Sequence, residues 1–313
     1  MARKKIIQEK PKNKWKTIIF VVLLLTVLSF IFSGFVSFFV SEPVEVGNIA
    51  LIHVKGVIVA DSAGGFGQDY ASSTVIVKQI EKAAKHPMIE AVIFEINSPG
   101  GSAVASDEVA QAVKELNKTS VAWIREIGTS GAYWIASAAD HIVANRMSIT
   151  GSIGVFSSYL EFSGLLSDFN ITYQRFVAGK FKDSGIPFRK PTGEERNLIQ
   201  QKLDSIHEFF IDSVTNNRAM SRDRVAEMAT GIIYIGSEAK DLGLIDELGG
   251  KKQAVNYIEE KLNITADIVE FKEKRSLLQV LGGVFNERFF YIGKGMGSSL
   301  VEEASQPSLV IRT

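Results

Sequence analysis

Cysteine is missing from all 313 residues, which rules out disulfides, thiolate nucleophiles and cysteine-ligated metals. Histidine is nearly as scarce. His53, His86, His141 and His207 are scattered with no i, i+4 pair and no HExxH, so a zinc hydrolase has little support. Neither a metal nor a cofactor is expected. Net charge is absent too, with 35 basic and 35 acidic residues, but the balance is not local. Arg3, Lys4, Lys5, Lys10, Lys12, Lys14 and Lys16 stand against Glu9 alone, so the rest of the chain is acidic. An acidic body argues against nucleic acid as a partner.

Charge is also missing from residues 17–40. At a rise of about 1.5 Å per residue that run reaches roughly 36 Å as a helix, enough to cross a bilayer. It exceeds the apolar core of a cleaved leader, about 7–15 residues, and no A-x-A-like site follows it. The expectation is a single-pass helix in the cell membrane with the basic segment 1–16 in the cytoplasm and everything after residue 40 outside.

What is present is a full core's worth of apolar residues, 46% of the chain. Beyond a linker at 41–48, β-branched runs at 49–54 and 57–59 predict strands, and the pattern at 72–85 a helix. The run 89–96 reads as a buried strand followed by a helix over 104–116. Strand 121–124, helix 132–139 and strand 141–144 repeat the cycle. Further helices are expected at 194–217, 222–229, from 236, and at 252–262, with a loose tail over 271–313. Repeated strand–turn–helix cycles imply an α/β fold with a mostly parallel sheet and chemistry at the strand C-terminal ends.

Two glycine-bearing turns fall at such ends, Ser98-Pro99-Gly100-Gly101 and Gly128-Thr129-Ser130-Gly131. A serine before a helix is commonly a cap, and a Pro-Gly pair is commonly a turn. Together they also meet the needs of acyl transfer, a hydroxyl at a helix mouth and backbone N–H groups free of a Cβ. The base is less plain. His141, nearest in sequence, begins a strand and reads as a surface or satisfied residue. A lysine serves where desolvation lowers its pKa from about 10.4, and Gly179-Lys180-Phe181-Lys182-Asp183 offers two, although lysine pairs in loops are usually solvated.

In their order, SPGG, GTSGAYWIASAAD, TGSIGVF (150–156), GKFKDSGIPFR and SEAKDLGLIDELGG closely resemble the signal peptide peptidase A family of membrane-anchored Ser/Lys proteases. The resemblance covers 49–264. It implies a ClpP/crotonase-like domain of repeated β-β-α units over 49–270, with Ser130 as nucleophile and Lys182 as base. By the same resemblance Lys180 is a bystander, Ser152 orients the lysine amine, and the N–H groups of Gly100 or Gly101 with Gly131 form the oxyanion hole. It further implies apolar peptides such as remnant signal peptides as substrates, and a ring-shaped homo-oligomer. The chain departs from the family pattern at Ala132, where many members carry glycine. The apolar terminus 308–313 is short and extended enough to enter a substrate groove.

Overall fold

In the computed structural model, residues 14–39, 47–61 and 70–271 are described. They fall into two units, Met1–Glu45 and Val46–Thr313. Most of the expected linker, the tail beyond Phe271 and the groove-seeking terminus lie outside the described residues.

The first unit holds one helix among the described residues, α1 (Lys14–Phe39). Among the described residues no helix is long and apolar enough to cross a membrane; the longest uninterrupted run of described side chains in α1 is 18–34, all of them exposed.

The second unit begins with β1 (Ile49–Lys55), β2 (Val57–Val59), β3 (Tyr70–Ser72), α2 (Ser73–Lys85), β4 (Ala91–Ser98), α3 (Ala103–Lys114) and β5 (Thr119–Thr129). It continues through α4 (Gly131–Ser137), β6 (His141–Ala144), β7 (Ile149–Gly151), α5 (Ser163–Asp168), α6 (Gly193–Arg218) and α7 (Arg222–Met228). It closes with β8 (Ile233–Ile235), α8 (Gly236–Leu242), β9 (Glu247–Leu248), α9 (Lys251–Leu262) and β10 (Ile268–Glu270).

The main sheet runs β10-β1-β4-β5-β6-β9, every neighbour parallel. Both faces are covered, which is why its strands read as unbroken apolar runs. Ala50, Ile52, Val54, Val92, Phe94, Ile96, Ala122 and Ile124 join the larger core beneath the helices. Their alternates Ile49, Leu51, Ala91, Ile93 and Val121 pack with Ala254 and Ile258 of α9. Helices start where side chains satisfy their free N–H groups: Ser72 accepts from Val75, Ser102 from Ala105, and Thr192 and Glu195 form a reciprocal capping box.

The mostly parallel α/β expectation is met, with two differences. The central strand β5 is much longer than 121–124, because its C-terminal half has a second partner, β7, paired parallel from Ile127↔Ile149 to Thr129↔Gly151. β7 in turn pairs antiparallel with β8. Neither short strand carries enough alternation to announce itself.

Candidate active site

Ser130 stands in the single step between β5 and α4, delivered by the longest strand of the sheet. Its backbone sits at φ 54°, ψ −126°, a region costing a non-glycine residue on the order of 1–3 kcal/mol and persisting only where the surroundings over-determine it. They do so here. The Ser130 N–H donates to Gly151 O at 2.8 Å, and its carbonyl accepts from Trp134 at 3.0 Å. Helix caps normally lie in the extended region; accordingly the Ser130 side chain makes no capping bond, unlike Ser72, Ser102, Thr192 and Ser221. Its hydroxyl is left for other work.

The 98–101 turn lies directly against this serine. A Cβ on Gly100 (φ +94°) would come within 2.9 Å of Ser130 Cβ and 2.8 Å of the Gly131 nitrogen. Gly101 bridges β2 through its neighbours: Ile58 N–H donates to Gly100 O and Ser102 N–H to Ile58 O, each at 2.9 Å. The Gly101 N–H therefore faces away from β2. A Cβ on Gly131 would lie 3.5 Å from the Gly101 nitrogen and 2.1 Å from the buried Ser106 hydroxyl. Gly131 opens α4, so its N–H has no acceptor within the helix. Two backbone donors thus converge beside the hydroxyl, those of Gly101 and Gly131. The Gly100 N–H is already engaged by Ser98 Oγ at 3.1 Å.

Ser152 follows β7 at φ 51°, with its N–H donating to Ile232 O at 2.7 Å. It is half-buried and adjoins the Gly151 carbonyl that holds Ser130. Ala132 is fully buried in the core, so the departure from the family pattern adds its methyl to packing. His141 contacts Glu247 at 3.3 Å and stacks on Tyr257 with centroids 3.8 Å apart, the satisfied residue its position suggested.

Lys182 differs from expectation in one respect. Its side chain is exposed, and among the described residues it makes no hydrogen bond with Ser130 or Ser152. It lies in a long arm between β7 and α6 whose only regular element is α5. Exposed along this arm are Phe156 (87%), Leu160, Phe169 and Phe176 (94%). The dry surroundings expected for a general base are not supplied by its own loop.

Sequence reasoning missed what supports the Ser130 turn through α4. Tyr133, fully buried in α4, donates its hydroxyl to Leu244 O at 2.8 Å, and burial raises its pKa far above the ordinary phenol value. Asn217 Nδ2 donates to Ser137 Oγ at 3.0 Å, tying α4 to α6. The only hint was the unbroken apolar character of 132–136.

A strained serine at a strand–helix step, flanked by two N–H donors with no acceptor among the described residues, fits the class of serine hydrolases acting on acyl groups. The comparisons narrow this. The model for peptidase family S49 matches residues 112–265. A putative protease of Methanocaldococcus jannaschii is 33% identical over 76% of this chain and 76% of its own length. A putative signal peptide peptidase SppA of Enterococcus faecium is 31% identical over 72% of this chain and 67% of its own. Protease 4 of Haemophilus influenzae is 31% identical over 70% of this chain but only 36% of its own length. The chain belongs to peptidase family S49, the signal peptide peptidase A family, and is a serine protease.

Proposed function

We propose that the protein is a membrane-anchored endopeptidase in which Ser130 is the nucleophile and Lys182 the base. The observation that carries this reading is the Ser130 turn, an N-cap serine that caps nothing, set beside the Gly101 and Gly131 donors. Lys182 takes the Ser130 proton as the hydroxyl attacks the peptide carbonyl. The Gly101 and Gly131 N–H groups receive the oxyanion. Collapse breaks the C–N bond as the Lys182 ammonium protonates the departing amine; the neutral Lys182 amine then takes a proton from water, whose attack breaks the acyl C–Oγ bond, and the proton returns to Ser130 Oγ. Ser152 is assigned to orient the lysine amine. The ClpP/crotonase-like description is part of the same proposal, supported by the parallel sheet with its glycine turns at strand ends.

Location supplies the substrate class. The uncharged run 17–40 of the sequence, flanked on its N-terminal side by basic residues, supports anchoring in the cell membrane with the domain outside. Apolar peptides left in the bilayer, remnant signal peptides among them, are then the nearest substrates, as the name of the Enterococcus relative suggests for that protein. The exposed apolar arm supports a ring of copies in which a neighbour covers Lys182, since an amine becomes a base only when desolvated.

The test is cleavage of a fluorogenic apolar peptide by the full chain in detergent. Ser130→Ala and Lys182→Ala are each expected to abolish turnover and Lys180→Ala to leave it intact; full activity in Lys182→Ala defeats the Ser/Lys assignment.

A further inference from the structure

The turn carrying Lys182 is held by ion pairs that the proposed reaction does not use. Arg175 grips Asp183 with two nitrogens, Nε to Oδ2 at 2.7 Å and Nη2 to Oδ1 at 2.8 Å. Arg189 donates Nε to the same Oδ2 at 3.1 Å. Its terminal nitrogens go to the two oxygens of Glu195 at 2.8 and 2.5 Å. Glu195 also accepts the Thr192 N–H at 2.7 Å and the Ser184 hydroxyl at 3.2 Å, so the chain of pairs ends on the capped first turn of the 26-residue α6.

Asp183 is the residue directly after Lys182. Within the turn, Lys182 N–H donates to Gly179 O at 3.1 Å and Ser184 N–H to Phe181 O at 3.2 Å. Gly179 and Gly185 bracket it at φ +95° and +83°. A turn with a glycine at either end can pivot on both sides, and between the two glycines its strongest attachment is Asp183, held by two arginines, with the Ser184 hydroxyl on Glu195 as a second, longer one. Asp183 and Glu195 side chains are 13% and 4% exposed, whereas the Lys180–Glu194 pair is 67% and 58% exposed and open to screening. Arg175 first, then Arg189, hold the Asp183 carboxyl well below the ordinary range. Arg189 does the same for Glu195. Both carboxylates therefore stay ionised wherever a lysine amine could act as a base.

We propose that the Arg175–Asp183–Arg189–Glu195 chain is the positioning device for the Lys182 amine, setting its height above α6 through the backbone of 179–185. This rests on the assignment of Lys182 as the base. The four are positioning residues; none needs to touch substrate. Misplacement of a reacting group by about 1 Å costs on the order of 100-fold in rate, and a lysine cannot replace the fork with which Arg189 spans two carboxylates.

The experiment measures kcat, KM and Tm on the full chain in detergent with the fluorogenic apolar peptide, for Asp183→Asn, Asp183→Glu, Arg189→Lys and Lys182→Ala. Asp183→Asn and Arg189→Lys are expected to lower kcat by about 10- to 100-fold. KM should change by less than about twofold, Tm by less than about 3 °C, and Asp183→Glu should recover most of the rate. Retention of kcat in Asp183→Asn and Arg189→Lys, with Lys182→Ala dead, overturns the positioning role and leaves the dyad standing. A loss of rate that tracks a fall in Tm and is not recovered by Asp183→Glu also overturns it, since the pairs would then serve only the fold. Activity in Lys182→Ala removes the base assignment itself.

Discussion

Glycine at 101 is demanded by distance alone, because a Cβ there would meet Ile58 O at 2.1 Å and the Ile58 nitrogen at 2.7 Å. Both atoms are backbone in a hydrogen-bonded strand and cannot give way cheaply. Gly101→Ala is therefore expected to push the 98–101 turn off β2 and carry one of the two proposed oxyanion donors with it. Losing one such donor costs on the order of 100- to 1000-fold in kcat. Steady-state kinetics on the apolar peptide with KM held near the parent's would check this, and wild-type turnover would mean that the Gly101 N–H is not a donor in the reaction. At this scale the sequence was most readable where residue type is forced. Glycines 100, 101 and 131 sit where no side chain fits, and Ser130 stands at the strained step between β5 and α4. The Arg175–Asp183–Arg189–Glu195 pairs were unreadable, since a charged loop residue looks the same whether solvated or riveted to a helix.

Among the elements, the strands of the main sheet carry a polar exception. Glu95 follows the apolar parity of Ala91 and Ile93 on β4 yet is buried to 4%. Lys55 contacts it at 3.1 Å, Arg125 at 3.0 Å and His53 at 2.8 Å, so β1 and β5 are pinned to β4 on either side. Burial pushes the Glu95 pKa up, but the hydrogen bonds from Lys55 and Arg125 outweigh it and the net direction is down. A carboxylate lowered on folding adds stability that is fully present above its unfolded value, about 4.3, and is lost as pH falls through the folded one. Glu95→Gln is expected to cost about 1–3 kcal/mol at pH 7, discounted for the partly exposed partners. The deficit should shrink as the parent is acidified. Thermal melts of both proteins from pH 7 to pH 3 would show it, and a constant gap across that range would contradict the linkage. Most elements here were legible because the apolar period placed them: α6 starts at Gly193, one residue from the expected place, behind the Thr192–Glu195 box seen in the structure. The extension of β5 was not, because Arg125, Glu126 and Gly128 break its apolar run and only pairing with β7 makes it a strand.

For the whole molecule, the question is where the lysine meets the serine. Ser130 is set between the buried Thr129 and Gly131, whereas Lys182 sits on an arm with Phe156 and Phe176 almost fully exposed. A single chain leaves that apolar surface and that amine in water. Burying a phenylalanine side chain is worth about 1.5–3 kcal/mol, so the proposed packing of the arm against a second copy would gain from covering these rings, and the same contact would dry the amine. If the neighbour's Ser130 is the one that Lys182 serves, two inactive proteins hold complementary halves of the site. Ser130→Ala and Lys182→Ala chains, mixed in detergent and allowed to exchange, are then expected to regain activity. Random mixing in a closed ring places a complete pair at about one interface in four, so recovery to roughly a quarter of the parent rate is the ceiling. No recovery, in a mixture shown by native mass spectrometry to contain both variants in one assembly, would place both groups of each dyad in the same chain and limit the neighbour to covering them.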